Sequence, residues 1–562
     1  MQKLVECVPN FSEGRDLDII GQITAAIESV EGISLLNVDP GASTNRTVVT
    51  FAGHPDAAVE AAFRGIQKAA ELIDMRKHNG AHPRMGATDV CPFIPVSDVS
   101  WEEAITCANQ LGKRVAEELK IPVYLYEKAA KDQSRSNLSV IRSGEYEGFF
   151  NKIKEAGWKP DFGPSVFNEK SGATAIGARE FLVAYNVNLN TKAVRRATSV
   201  AFDVRENGRV KTDDGTPYGR PVLDANGDPV RVPGLLKHVK AIGWYVEEYG
   251  MAQVSMNLTN LDQTPLHIAF DACNEAAGKR GLRVTGSEVV GMLPKRCLVE
   301  AGKYFLRKQK WSEGASEKEL IDIAVRSMGL SELKPFDPKE KIIELKMEAA
   351  DSKKSLVKTD LRQFCNETLS DSPAPGGGSV AALMGALGVS LGGMVANLSA
   401  GKRGWEDKLS YFSEWAVKAQ QQKDELLFLV DEDTAAFNKV MDAFALPKDS
   451  AEEKVARSAA IQLANKYAAE IPLRVMETAS KSYHLLAEMA DNGNPASISD
   501  VGVGLLALRA CIDGAAMNVR INLAGLKDEK VKSALQESVR RISAESKSEF
   551  KKLSQIVESK IG

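Results

Sequence analysis

Residues 34–73 read SLLNVDPGASTNRTVVTFAGHPDAAVEAAFRGIQKAAELI, and their reading decides the fold of the first half of the chain. Ser34 to Val38 and Thr47 to Phe51 are short strand-like runs on either side of a turn containing Pro40 and Gly41. From Ala57 to Ile73 the apolar side chains recur at helical spacing, so the stretch predicts two antiparallel strands followed by an amphipathic helix. Outward from there, Leu4 to Val8 is strand-like, Leu17 to Glu28 is helical in period, and Thr88 to Val96 is strand-like again. The order is β-α-β-β-α-β, the split βαβ or ferredoxin-like arrangement.

The same order recurs downstream. A helix at Trp101 to Leu119 leads to a strand at Val123 to Tyr126, and a second run starts at Phe181 to Leu189. It continues through Lys192 to Val204 (helix), Ala241 to Val246 and Ala252 to Leu258 (strands), Pro265 to Ala277 (helix) and Val284 to Gly291 (strand). Two ferredoxin-like βαββαβ subdomains are therefore predicted, side by side, forming an α+β N-terminal half with a crevice where a ligand sits. Arg205 to Lys237 is dense in Gly, Pro, Asp and Asn and reads as a hairpin or exposed loop.

Beyond Glu340 the strand signals end. Helical patterns cover Leu356 to Leu369, Val380 to Ser399, Lys408 to Phe444, Ala451 to His484, Ser499 to Asn522 and Lys530 to Ile561. Joined by short loops, they predict an all-α antiparallel helix bundle. The expected division is 1–180 and 181–340 for the subdomains, a charged linker at 341–356, and a helical domain at 357–562. A chain of 562 residues is in any case too long for one core, since single cores stop growing near about 250–300 residues.

Composition removes several function classes. The 72 basic and 75 acidic residues leave a net charge of −3, so no global field holds the chain on a nucleic acid or an anionic membrane. Seven cysteines, odd in number, scattered and without a CxxC pair, argue against a disulfide framework and against a zinc site. A reducing cytoplasm fits, and no signal peptide is read at the N-terminus. Val380 to Ser399 is long enough to span a membrane, but it is mostly Ala and Gly, contains Ser390 and Asn397, and lacks an aromatic belt. It reads as a buried helix whose small residues allow close packing.

Four groups of residues carry candidate chemistry. His78 and His82 share a loop with Arg76, Lys77 and Arg84; Gly80 and Pro83 break the helix that would make the two histidines a metal pair, so no metal is expected. Asp39 opens the Pro-Gly turn, where an aspartate is also a common turn former. In the C-terminal half, Leu426, Leu429, Val430, Phe437, Val440 and Phe444 all fall within about 60° of Asp433 on a helical wheel, whereas Asp431 points roughly 160° away. A carboxylate in the apolar stripe has its pKa raised toward a value useful for proton transfer, although pairing with Arg509 or Arg520 would make it purely structural. The Pro-Gly-rich segment Ser372 to Ser379 opens a helix and is a weak candidate for an anion loop.

Together the blocks LVECVPNFSEG, VDPGASTNRTV, LIDMRKHNGAHPRMGATDVCPFIPV, DFGPSVFNEKSGATAIGARE, SPAPGGGSVAA and LVDEDTAAFNKVM, in this order along the chain, resemble the formimidoyltransferase-cyclodeaminase family of bifunctional folate enzymes. The resemblance implies a transferase half that moves the formimino group of N-formimino-L-glutamate to tetrahydrofolate. It implies a second half that cyclises 5-formiminotetrahydrofolate to 5,10-methenyltetrahydrofolate with release of ammonia. His82 is then the transferase base and Asp39 its supporting acid, and Asp433 is the cyclodeaminase acid/base. The folate segment falls on Gly163, Pro164, Ser165, Val166, Phe167, Asn168, Glu169, Lys170, Ser171 and Gly172. Arg46 and Arg84 are candidate clamps for substrate carboxylates. Tetrahydrofolate, with one or more glutamates in its tail, is the expected co-substrate, and a dimer-based homo-oligomer, up to an octamer, the expected assembly. Two alternatives stay open: formyl transfer coupled to methenyltetrahydrofolate cyclohydrolysis, and a non-catalytic folate-binding scaffold.

Overall fold

The computed structural model describes residues 3–42, 44–80, 82–215, 219–350 and 355–562. The chain divides into two compact units, one of residues 1–298 and 325–351, the other of residues 299–324 and 352–562.

The first unit opens with β1 (Leu4–Cys7), β2 (Asn10–Phe11), α1 (Leu17–Glu28), β3 (Ile33–Gly41), β4 (Arg46–Gly53), α2 (Pro55–Leu72) and β5 (Thr88–Ser97). It continues with α3 (Trp101–Leu119), β6 (Val123–Glu127), α4 (Leu138–Arg142), α5 (Glu145–Lys152) and β7 (Thr174–Ala178). β3, β4, β1 and β5 lie side by side and antiparallel. The sheet then extends in parallel from β5 to β7 and on to β6; β6 is the strand expected at Val123 to Tyr126, and β7 has no counterpart in the sequence reading. Helices start where their caps dictate: Asp16 accepts from the amides of Asp18 and Ile19 at α1, and Ser100 and Glu103 form a reciprocal capping box at α3.

Alternation along the strands gives the sheet two different faces. Val5, Cys7, Val49, Phe51, Cys91 and Phe93 face the helices and pack with Ile23, Ile27, Phe63, Ile66, Leu111 and Val115; each such side chain contributes about 1.5–3 kcal/mol by leaving water. Glu6, Asn10, Asp39, Arg46 and Thr50 fall on the opposite face, as their cross-strand register requires. A smaller cluster of Val90, Tyr124, Ile141, Phe149 and Ile153 seats α4 and α5 beside part of the sheet.

The unit continues with β8 (Val183–Leu189), α6 (Val194–Val204), β9 (Arg209–Val210), β10 (Arg231–Val232), β11 (Val239–Val246), β12 (Met251–Leu258), α7 (Leu266–Gly278) and β13 (Val284–Val290). A second, antiparallel sheet runs β11-β12-β8-β13. β9 and β10 pair as a hairpin inside the Gly/Pro-rich stretch, whose residues 216–218 lie outside the described residues. Next come α8 (Lys295–Lys308), α9 (Glu317–Met328), α10 (Pro338–Lys341) and α11 (Ile343–Ala350). Of the charged linker expected at 341–356, residues 351–354 lie outside the described residues; its first half is helical.

The second unit holds α12 (Leu361–Leu369), α13 (Gly377–Ala400), α14 (Leu409–Ala445), α15 (Ala451–Lys481), α16 (Tyr483–Asn492), α17 (Ile498–Leu523) and α18 (Glu529–Ile561). Its core runs through Leu426, Leu429, Ile471, Met476, Leu486, Leu508, Ile512 and Val539. α13 and the span of residues 495–523 are both long and apolar enough to cross a membrane. α13, however, has its small residues in packing contacts: Gly385 meets Cys511 and Leu426, and Gly392 meets Leu485 and Leu486. One helix expected from Ala451 to His484 is two, divided at the buried Ser482, whose hydroxyl lies 2.9 Å from Gln422 Oε1 and 3.0 Å from the Thr478 carbonyl.

Residues 299–324 group with the helices in the second unit. The loop after α8 explains it. Ser312 Oγ bonds Asn397 Oδ1 at 2.6 Å, the Glu313 amide donates to Ser413 Oγ at 2.9 Å, and the Gly314 carbonyl accepts from Asn397 and Gln420 at 2.9 and 3.1 Å.

Candidate functional site

The loop after α2 is shaped by its own polar side chains. Asp74 caps a short turn at Met75–Lys77. His78 bridges, with Nε2 2.8 Å from the Asn45 carbonyl and Nδ1 accepting from Arg84 Nε at 3.1 Å. Both ring nitrogens are thereby used, and burial holds this imidazole below its ordinary pKa, so His78 acts as a neutral clip.

His82 is placed differently; its neighbour Ala81 lies outside the described residues. Nδ1 is 2.6 Å from the Pro83 carbonyl and 2.8 Å from an Arg46 terminal nitrogen. The carbonyl calls for a hydrogen on Nδ1 and the Arg46 N–H for a lone pair there, so one contact excludes the other as a hydrogen bond; Nε2 makes no hydrogen bond among the described residues. Burial first, and the Arg46 charge second, lower the imidazole pKa, so the ring is neutral and basic near pH 7. Arg46→Met is expected to move the acid limb of any His82-dependent rate part of the way back up toward pH 6.5, with burial retaining the remainder; a pH–rate profile checks it.

Behind His82 stands a network that the sequence reading missed. Asp89, 1% exposed, accepts from Arg46 at 2.8 Å, Arg142 at 2.7 Å and the Met85 amide at 3.1 Å. Asn10 Oδ1 takes the Nε and second terminal nitrogen of Arg46 at 3.1 and 2.7 Å. Two guanidiniums share one carboxylate, so the wall beside His82 carries one positive charge in excess. The available signal was a carboxylate inside an otherwise apolar strand, TDVCPFIPV.

Asp39, by contrast, is exposed on β3 opposite Val48 and makes no side-chain hydrogen bond with His82 among the described residues. The contacts of the His82 ring are with Arg46 and the Pro83 carbonyl. The expectation for Arg84 is corrected. All five of its N–H groups are taken, by His78 Nδ1, the His78 carbonyl, Glu145 and Glu147, leaving no donor for a substrate carboxylate.

The segment Gly163 to Gly172 docks against the histidine loop. The Ala87 amide donates to the Ser171 carbonyl at 2.8 Å and the Ala173 amide to the Met85 carbonyl at 3.0 Å. Gly172 has φ +69°, and a Cβ there would lie 2.2 Å from the Met85 carbonyl oxygen, so only glycine permits this approach. Phe167 packs with Tyr146 and Phe150 while Val166 is exposed.

In the helical unit, Asp433 on α14 faces the first turn of α13. Ser379 Oγ is 3.2 Å from Asp433 Oδ2 and 2.8 Å from the Val430 carbonyl. Desolvation raises the Asp433 pKa, and Ser379 opposes that by bonding the carboxylate. The structural alternative is not realised: Arg509 is paired with Asp513 at 2.7 Å, and Arg520 is exposed. Asp431, on the other side of the helix, accepts from Ser355 Oγ at 2.6 Å and the Leu356 amide at 2.7 Å. A Cβ on Gly378 would sit 2.1 Å from Asp433 Oδ1. Gly378→Ala is therefore expected to displace the carboxyl and abolish Asp433-dependent turnover with the melting temperature little changed, as enzyme assay and calorimetry would show.

Along the chain, residues 4–179 match the formiminotransferase domain, N-terminal subdomain; residues 184–348 match the formiminotransferase domain; and residues 360–541 match formiminotransferase-cyclodeaminase. A formimidoyltransferase-cyclodeaminase of Gallus gallus is 43% identical over 97% of both chains. A glutamate formimidoyltransferase of Thermoplasma acidophilum is 44% identical, covering 55% of this chain and 95% of its own length. A methenyltetrahydrofolate cyclohydrolase of Methylorubrum extorquens is 33% identical over 36% of this chain and 97% of its own length. The chain belongs to the formiminotransferase-cyclodeaminase family.

Proposed function

We infer that this chain is a bifunctional folate enzyme: it transfers the formimino group of N-formimino-L-glutamate to tetrahydrofolate and then cyclises the product to 5,10-methenyltetrahydrofolate with release of ammonia. The carrying observation is similarity to formimidoyltransferase-cyclodeaminases over 97–98% of the chain, in a molecule with a neutral imidazole in one unit and a desolvated carboxyl, bonded by Ser379, in the other.

In the first step N5 of tetrahydrofolate attacks the formimino carbon, His82 Nε2 takes the proton that N5 sheds and returns it to the glutamate nitrogen, and glutamate departs. Arg46 and Arg142, with one positive charge beyond what Asp89 neutralises, attract the carboxylates of formiminoglutamate. Asp39, free on the same sheet face, is left to meet the substrate directly, and residues 163–172 line the folate. In the second step N10 attacks the same carbon. Asp433 accepts the N10 proton and delivers one to the departing amine, which leaves as ammonia.

Each sheet supports the ferredoxin-like reading, because β3-β4-β1-β5 and β11-β12-β8-β13 share one order relative to their βαββαβ sequence. A homo-oligomer is favoured by apolar surface left open in the helical unit, including Leu387, Leu398, Leu506, Met517 and Ile521, each about half exposed or more. The cytoplasm is the compartment in which seven free cysteines persist. A folate tail of several glutamates would keep the intermediate near the protein between steps.

The cyclohydrolase among the relatives favours a second reading for the helical unit, hydrolysis of methenyltetrahydrofolate in place of ammonia release. Incubation with formiminoglutamate and tetrahydrofolate, with glutamate, ammonia and methenyl absorbance followed separately, tests both. Ammonia equal to the methenyl product is expected; glutamate release without ammonia, together with hydrolysis of separately supplied methenyltetrahydrofolate, would select the second reading.

A further inference from the structure

On the substrate-facing side of the first sheet, a crevice of about 460 Å³ lies between the strands and the segments of the second subdomain around Phe181, Met292 and Lys341. That volume is within the range of small-molecule sites. Glu6 projects into it from the middle of β1, between Ala52 and Ile94 on the neighbouring strands. It is 5% exposed. Among the described residues no donor hydrogen-bonds its carboxyl, and its oxygens are not among the buried polar atoms sealed off from solvent. They face a crevice that also holds Arg179, Lys341 and Lys346, open to a ligand that brings donors. A carboxyl in this position costs free energy in the empty protein, and burial raises its pKa to about 7 in spite of the nearby Arg179 charge.

We propose that Glu6 is the specificity residue for the pterin ring, its two carboxylate oxygens receiving the paired N3–H and 2-amino donors of the reduced pterin while N5 faces His82. The register supports the span. Glu6 stands opposite Ala52 and Asn10 opposite Val48, four residues along β4, or about 13 Å at roughly 3.3 Å per residue. Asn10 holds Arg46, which holds His82. A fused ring pair held at Glu6 extends along this face toward its Arg46–His82 end. Val8, Leu36 and Phe181 supply apolar walls, and a bidentate match to two parallel donors is the geometry a carboxylate serves best.

The inference rests on tetrahydrofolate being the co-substrate, and its test separates the two. Initial rates of glutamate release are measured with tetrahydrofolate and with its 2-desamino analogue, in wild type and in Glu6→Gln. Wild type is expected to show a KM about ten- to a hundredfold higher for the analogue. Glu6→Gln should raise the KM for tetrahydrofolate by a similar factor, discriminate little between the two folates, and leave the KM for formiminoglutamate unchanged. Equal KM values of wild type for the two folates would overturn the proposal whatever the variant does, as would a Glu6→Gln enzyme that keeps the full discrimination. Absence of any glutamate release by wild type would instead remove the co-substrate reading itself.

Discussion

Replacing His82 by alanine is expected to slow glutamate release from formiminoglutamate by about 10²–10⁴-fold, the usual contribution of a positioned general base, while ammonia release from supplied 5-formiminotetrahydrofolate continues at the wild-type rate. The loss follows from the geometry. Nδ1 lies against the Pro83 carbonyl and Arg46, while Nε2 has no protein partner among the described residues, so Nε2 is the nitrogen left to exchange a proton with a ligand. Arg46 cannot substitute, since a guanidinium stays protonated at any useful pH. Because Arg46 also depresses the imidazole pKa, wild-type transfer should hold its rate down to a pH below the ordinary imidazole range. Steady-state assays of each half-reaction check both points, and transfer surviving intact in His82→Ala would place the base elsewhere.

The second large effect is at Asp433. Asp433→Asn keeps the shape and the Ser379 contact but cannot accept a proton, so ammonia release should fall by a comparable factor while glutamate release proceeds and 5-formiminotetrahydrofolate accumulates. Burial at the start of α13 raises the carboxyl pKa, which brings its donor and acceptor forms closer in population at neutral pH than for a free aspartate. Ammonia release that persists in the variant would reduce Asp433 to a packing residue beside Gly378.

Much of this was legible because it is local. The two-residue period of Thr47 to Phe51 and the helical period of Ala57 to Ile73 each sit within one window, and the wheel that separated Asp433 from Asp431 needs a single helix. The structure bears that geometry out: Asp433 meets Ser379, and Asp431 turns to Ser355. The stripe fades toward the end of α14, where Phe444 is 49% exposed, because nothing in the sequence of one helix says where its neighbours stop. What was not legible is non-local. Asn10, Arg46, Asp89 and Arg142 lie on separate elements and meet only when the sheet forms, so the support of His82 was assigned to the nearby motif residue Asp39. Arg84 has the right charge for a clamp, yet Glu145 and Glu147, about sixty residues away, occupy it. The attachment of residues 299–324 to the helical unit likewise depends on backbone groups around Gly314 that carry no sequence signature.

The central claim, two proton-handling sites in separate folding units, is tested most directly by mixing purified His82→Ala with Asp433→Asn in one reaction containing formiminoglutamate and tetrahydrofolate. Neither variant alone should yield ammonia and methenyltetrahydrofolate; the mixture should yield both, after a lag in which the intermediate builds up. A mixture as inactive as its components, with free 5-formiminotetrahydrofolate also left unconverted by His82→Ala, would contradict the account.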